Sequence, residues 1–176
     1  LLGNTDLILN ITLQANQKVY IRTDSSNFCG HFIYGNVGNY EIGGDISSLI
    51  GGSNIKDISD KPYVFYGTFY DGYLEKSDKL VLPATTLSDY CYYGMFWDCY
   101  YMTTAPELPA TNLAYGCYYE MFYECNALIT APSLPATTLA EWCYCEMFYY
   151  CYAMTNAPSL PAMTLTEGCY YEMFAC

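Results

Sequence analysis

Basic residues are scarce and unevenly placed. The 176-residue chain has six of them, Lys18, Arg22, Lys56, Lys61, Lys76 and Lys79, and none beyond position 79. From Leu82 onward nine acids stand without a Lys or Arg, and the formal net charge is -12. Phosphate recognition needs Lys and Arg contacts, so this balance excludes nucleic acid as a partner. It also disfavours anionic membrane surfaces, and it keeps a chain soluble and self-repelling. Histidine is limited to His31, in the Gly-flanked loop CGHF, around which any Ser-His-Asp or Cys-His centre would have to be built. The motifs H-E-x-x-H and G-x-S-x-G are missing, as is a phosphate-cradling glycine loop. The chain is therefore read as non-enzymatic, with no cofactor. Apolar content reaches 53%, yet no run of about eighteen apolar residues occurs, so nothing in this segment is expected to span a bilayer. A basic n-region leading into an apolar h-region is also missing, so a signal peptide is absent or already removed. With Leu1 in the place of a starting Met, the chain is expected to be processed or partial.

What the chain has in quantity is tyrosine, 22 residues, and cysteine, 10 residues. Most of both fall into a repeat. LPATTL at 82, LPATNL at 108, LPATTL at 134 and LPAMTL at 160 open four segments spaced 26 residues apart. Each follows L-P-A-x-x-L-x-x-x-C-Y-x-x-M-F-x-x-C-x-x-[ML]-x-x-A-P-x. Three copies are complete and the fourth is partial, with Cys176 one place early for the second cysteine. Either the register slips there or the end is irregular.

A 26-residue unit lies within the leucine-rich-repeat range, and one such unit cannot bury its apolar face without neighbours. Advancing about 100° per residue from Leu87 places Leu87, Cys91, Tyr92, Met95, Phe96, Cys99 and Met102 on one half of a helical wheel. Positions that differ between copies fall on the other half. The pattern predicts an amphipathic helix entered through Pro83 and the Thr85-Thr86 pair. Its core positions are Leu87, Cys91, Met95, Phe96 and Cys99; then Leu113, Cys117, Met121, Phe122 and Cys125; then Leu139, Cys143, Met147, Phe148 and Cys151. MTTAPEL at 102 to 108 supplies the return leg. Its prolines, Pro106 and Pro109, limit any strand to about two to four residues.

The run C-x-x-[ML]-T-x-A-P-x-L-P-A-T-T-L-x-x-x-C-Y-x-x-M-F resembles the BspA-like leucine-rich-repeat proteins of bacterial cell surfaces. Met95-Phe96, Met121-Phe122, Met147-Phe148 and Met173-Phe174 stand where those units have Ala-Phe. Cys99, Cys125 and Cys151 follow at the family spacing. The extra proline in A-P-x-L-P departs from the family unit. The likeness covers residues 82 to 176, and the GDISSLIGG segment upstream resembles repeat proteins of gut anaerobes. It implies a right-handed α/β repeat solenoid with a role in surface attachment.

Upstream, DLILNITLQ and KVYIRT alternate polar and apolar residues as half-buried strands do, punctuated by GNVGN and GGSN. The expected organisation is a β-rich module over 1–62, a degenerate capping repeat over 63–81, and the repeats over 82–176. In the capping repeat Phe69 takes the place of Phe96 and Gly72 that of the cysteine, with Lys76, Asp78 and Lys79 as the polar edge.

The cysteines lack any C-x-x-C pair; the recurring spacing is C-x7-C. On a helix those two lie about 12 Å apart along the axis, beyond a disulfide's reach of about 7 Å. Equivalent cysteines in packed helices would sit about 8–10 Å apart. Cys91, Cys117, Cys143 and Cys169 are thus expected as buried thiols behaving as small hydrophobes, not as a zinc site. Cys29, Cys145 and Cys176 lie outside the pattern and are the candidates for any disulfide. Glu120, Glu146 and Glu172 form a column read as a solvated acidic face in preference to a calcium site. Asn10-Ile11-Thr12 is an N-glycosylation sequon, used only where the source modifies such sites.

The variable half of the repeat carries the binding candidates: Tyr90, Tyr93, Trp97, Tyr100 and Tyr101; Tyr115, Tyr119 and Tyr123; Trp142, Tyr149, Tyr150 and Tyr152. A merely soluble face would carry Lys and Glu there. Tyr and Trp offer large contact area at little entropic cost and stack on sugar rings. The expected function is an extracellular or cell-surface adhesion protein presenting this band to a protein or glycan. The rival is a structural subunit of an extracellular filament or virus fibre, the same face meeting sister subunits.

Overall fold

The computed structural model describes residues 40–70 and 73–176. The strands expected in DLILNITLQ and KVYIRT, the sequon at Asn10, Cys29, His31 and Gly72 lie outside the described residues.

Strand β1 (Tyr40–Asp45) pairs in parallel with β2 (Leu74–Val81), and a short 3-10 helix, Ile46–Ile50, follows β1 directly. Asp45 caps that helix by accepting from the Ser47 N–H at 2.8 Å, and Gly51 closes it in the left-handed region. Gly43 is required where the strands approach, because a Cβ there would lie 2.9 Å from Lys79 Cβ. Glu41 receives both Lys76 and Lys79, at 3.0 and 2.9 Å.

The α-helix expected in each repeat does not form. Residues 89–98, 115–124, 141–150 and 167–174 are continuous runs of turns. In the first run the N–H groups of Cys91, Tyr93, Met95, Trp97 and Cys99 each bond back three residues, at 3.0–3.4 Å. The alternate N–H groups, of Tyr90, Tyr92, Gly94, Phe96 and Asp98, donate to carbonyls of the next repeat, at 2.9–3.0 Å. Every fourth residue has positive φ: Tyr90, Gly94 and Asp98, then Gly116, Glu120 and Glu124, then Trp142, Glu146 and Tyr150. Each stands third in a hydrogen-bonded turn, the place where a type II turn requires φ > 0. Backbone polar groups are thus satisfied half within a rung and half between rungs, without a helix or a strand.

The turn period explains the misreading. Side chains point inward in adjacent pairs, Cys91-Tyr92, Met95-Phe96 and then Cys99, so the pattern repeats every four residues. A period of four drifts only about 40° per cycle on a 100° wheel, and three cycles stay within one half.

Rung-to-rung hydrogen bonding brings repeats far closer than packed helices, near the strand spacing of about 4.8 Å. Phe69, Phe96, Phe122, Phe148 and Phe174 stack with centroids 5.4–5.7 Å apart and planes within 14°. Phe65, Tyr92, Tyr118, Tyr144 and Tyr170 form a second column at 5.5–5.8 Å. Of the fifteen expected core positions only Leu113 is less than fully buried. The return legs are shorter than expected, reduced to isolated bridges joining Lys76 to Thr104, Thr104 to Thr130 and Thr130 to Asn156. The register holds to the end: Tyr150 donates to Ala175, which leaves Cys176 exposed in the place of Tyr150.

One apolar core runs from Ile46 to Met173. Residues 40–62 belong to it, so the boundary expected at 62/63 is not a break in the described structure. Asp57 bridges Thr86 and Ile58 donates to the Thr86 carbonyl, which makes this segment an earlier layer of the same stack.

With no helices in the repeats, helix spacing is not what keeps the cysteines apart. The thiols are nonetheless unbridged at Cys91, Cys117, Cys125, Cys143, Cys145, Cys151, Cys169 and Cys176. Cys99, Cys125 and Cys151 donate S–H to the carbonyls of Phe69, Phe96 and Phe122 in the preceding rung, at 3.1–3.2 Å. Burial pushes the Cys91, Cys143 and Cys151 thiols up to about 12. Such thiols are inert packing groups.

Candidate binding surface

None of the twelve aromatic residues singled out for binding is fully buried. The inward pairs alternate with outward pairs, so the four-residue turn period itself sets these rings on the outside. Stacking then orders them into columns. Tyr70, Trp97, Tyr123 and Tyr149 follow one another at 5.0–5.5 Å. Tyr66, Tyr93 and Tyr119 form a neighbouring column at 5.0 and 5.2 Å. Tyr101 lies apart, stacked on Tyr73 at 5.6 Å, and Tyr152 packs on Tyr150 at 5.6 Å. Tyr100 is exposed.

A third column contains a gap. Its positions are Tyr63, Tyr90, Gly116, Trp142 and Gly168, all with positive φ. Tyr63 stacks on Tyr90 at 4.9 Å, and from Tyr90 onward rings alternate with glycine, each ring lying across the glycine that follows. A Cβ on Gly116 would lie 2.6 Å from the Tyr90 ring, and one on Gly168 would lie 2.5 Å from Trp142. The result is a cleft of about 440 Å³ lined by Tyr63, Tyr90, Tyr93, Tyr115, Tyr119 and Trp142. Five of these six are among the expected binding residues, and Tyr63 is an addition. Its signal was present in the sequence, since Tyr63 aligns with Tyr90 when Phe69 is laid over Phe96.

Of the acids expected on a solvated face, Glu172 is exposed, whereas Glu120 and Glu146 are drawn partly inward. Glu120 is half-buried, and its Oε2 is shielded without a protein partner. Burial first, then the neighbouring Glu146, push the Glu120 carboxyl up to about 7, while a hydrogen bond from Tyr93 opposes the shift. Glu146 accepts from the Tyr119 hydroxyl at 3.4 Å and from the Cys145 thiol at 3.8 Å. Cys145 occupies the column position that Tyr119 holds one rung earlier, and burial pushes its thiol up to about 12. No cluster of three or more potential metal ligands is assembled among the described residues. No helix among them is long and apolar enough to cross a membrane.

Comparison with protein-family models, with characterised proteins and with solved structures returns no match for this chain.

Proposed function

We propose that the chain is an extracellular, non-catalytic binding protein whose outer aromatic columns meet a protein or glycan at a cell surface. The carrying observation is the continuous outer band of Tyr and Trp, ordered by rung stacking and left partly open to solvent. Rings held rigidly in this way lose little entropy on contact. The 26-residue rungs are taken as turns of a right-handed solenoid of the BspA-like leucine-rich kind, with turn runs replacing its helices. Replacing Trp97, Tyr123 and Tyr149 together with Ser is the test. Attachment to host glycans or matrix proteins should fall while circular dichroism shows the chain still folded at the assay temperature. Unchanged attachment refutes the proposal.

A second reading has one observation in its favour. The last described rung leaves Leu160, Met163, Leu165 and Phe174 exposed, Met163 at 95%. Copies stacked through that face would make the chain a subunit of a filament or fibre. Mass measurement across a concentration series decides, and a strict monomer refutes assembly.

A further inference from the structure

The cleft between the Tyr90 and Trp142 rungs has a more specific chemistry than the band around it. Its lining is entirely aromatic. The rings do not lie in one plane: Tyr90 is inclined 47° to Tyr93 and 64° to Tyr115, and Tyr93 is inclined 70° to Tyr119. Rings inclined in this way bound a concavity, whereas sugars are received on flat platforms beside hydrogen-bonding side chains. Tyr119 donates to the Glu146 carboxyl at 3.4 Å, and Glu120 is half-buried one rung earlier. A phenol that donates to a carboxylate has a more electron-rich ring face, which attracts a cation more strongly. None of the six lining residues is basic, and the net charge of the chain is -12.

The lining also distinguishes among cations. A primary ammonium or a guanidinium carries strong donors and loses water at a cost unless acceptors replace it. No Asp or Glu is among the six lining residues, which are five tyrosines and one tryptophan. A quaternary ammonium has no donors, holds its water weakly, and is bound through ring faces alone. We propose that this cleft is a binding site for a quaternary ammonium group, the trimethylammonium end of a choline-type ligand. The inference rests on the outer aromatic surface being a contact surface, and it names the chemistry of one part of that surface.

The test uses the full chain with Trp97→Phe, which leaves Trp142 as the sole indole. Choline chloride is titrated against 3,3-dimethylbutan-1-ol, its neutral isostere, at constant ionic strength, and Trp142 fluorescence is followed with calorimetry in parallel. Saturable binding of choline at least about tenfold tighter than the isostere is expected. Tyr115→Leu and Glu146→Gln should each weaken choline several-fold; Tyr115 is exposed and outside the left-handed positions, so its replacement spares the fold. Phosphocholine and phosphatidylcholine vesicles then separate a free ligand from a membrane headgroup. Equal affinity for choline and the isostere, no saturable choline binding, or choline binding indifferent to Tyr115→Leu would each overturn the assignment. If Tyr115→Leu instead abolishes attachment to a neutral glycan, the band remains a contact surface and only the cation chemistry falls.

Discussion

Phe122→Ala is the most direct test of the stacked turn runs. Phe122 is 0% exposed and lies between Phe96 at 5.4 Å and Phe148 at 5.5 Å, with interplanar angles of 0° and 2°. Truncating a buried Phe typically costs about 3–5 kcal/mol, the spread depending on how far the surroundings collapse into the hole. Collapse is restricted here. The Phe122 rung is hydrogen-bonded to the next at 2.8–3.1 Å along its length, so the flanking rings cannot close the gap without breaking that ladder. Two stacking contacts are lost as well, each worth about 0.5–1.5 kcal/mol. The expected loss is therefore at the upper end, about 4–5 kcal/mol. Tyr123→Ala, at a half-buried outer position, should cost about 1–2 kcal/mol. Phe174, 40% exposed and stacked on one side only at 5.7 Å, should cost no more than that when truncated. Urea unfolding followed by near-ultraviolet circular dichroism measures all three. A Phe122→Ala loss no larger than that of Tyr123→Ala would refute the inward-pair arrangement.

The thiols give a second prediction: native protein at about pH 8 should label chiefly at Cys176 among the described cysteines, and denatured protein at most of them. Mass spectrometry that found four or five disulfides would contradict this. A third concerns Glu120, whose carboxyl is raised to about 7 in the fold from an ordinary 4.5. A raised acid stabilises the fold when protonated, so its contribution is complete below about pH 4.5 and is lost as pH rises through 7. A fully shielded group would give about 3 kcal/mol, and solvent at this half-exposed site reduces that to about 1 kcal/mol. Glu120→Gln should flatten the stability profile over that window, and an unchanged profile would exclude the carboxyl as its source. The fourth is Gly116→Ala, which forces φ +55° on a Cβ residue and places that Cβ 2.6 Å from the Tyr90 ring. A loss of about 1–3 kcal/mol is expected in thermal unfolding, together with displacement of Tyr90, and a neutral substitution would argue against the left-handed position.

The repeat and its register were legible because identity at 26-residue spacing needs no knowledge of local conformation. Which residues face inward was legible for the same reason: Cys91, Met95, Phe96 and Cys99 recur and their neighbours vary. The local conformation was not, because inward pairs every four residues fall on one half of a helical wheel as a true helix would. Glycine carried the missed signal. Gly94, Gly116 and Gly168 occupy positions of positive φ, where a type II turn needs them and a helix does not. The outer rings could be read from the sequence; the cleft could not. It depends on Tyr90 lying across Gly116, a contact between residues 26 apart whose meaning appears only once the rungs are about 5 Å apart.

The alternation of hydrogen bonds within the turn runs gives the stack a direction. In these runs each rung donates N–H groups only toward the rung that follows and accepts only from the rung before. One side of every run is therefore a row of donors and the other a row of carbonyls. Peptide dipoles aligned this way add along the stacking axis, as they do along an α-helix, and leave partial positive charge on the donor side. Two such sides cannot pair with their own kind. Any contact between copies through these rows must be head to tail, and a head-to-tail contact that does not close into a ring grows into an open fibre. The backbone pattern that holds one chain together thus also fixes the polarity of whatever is built from it.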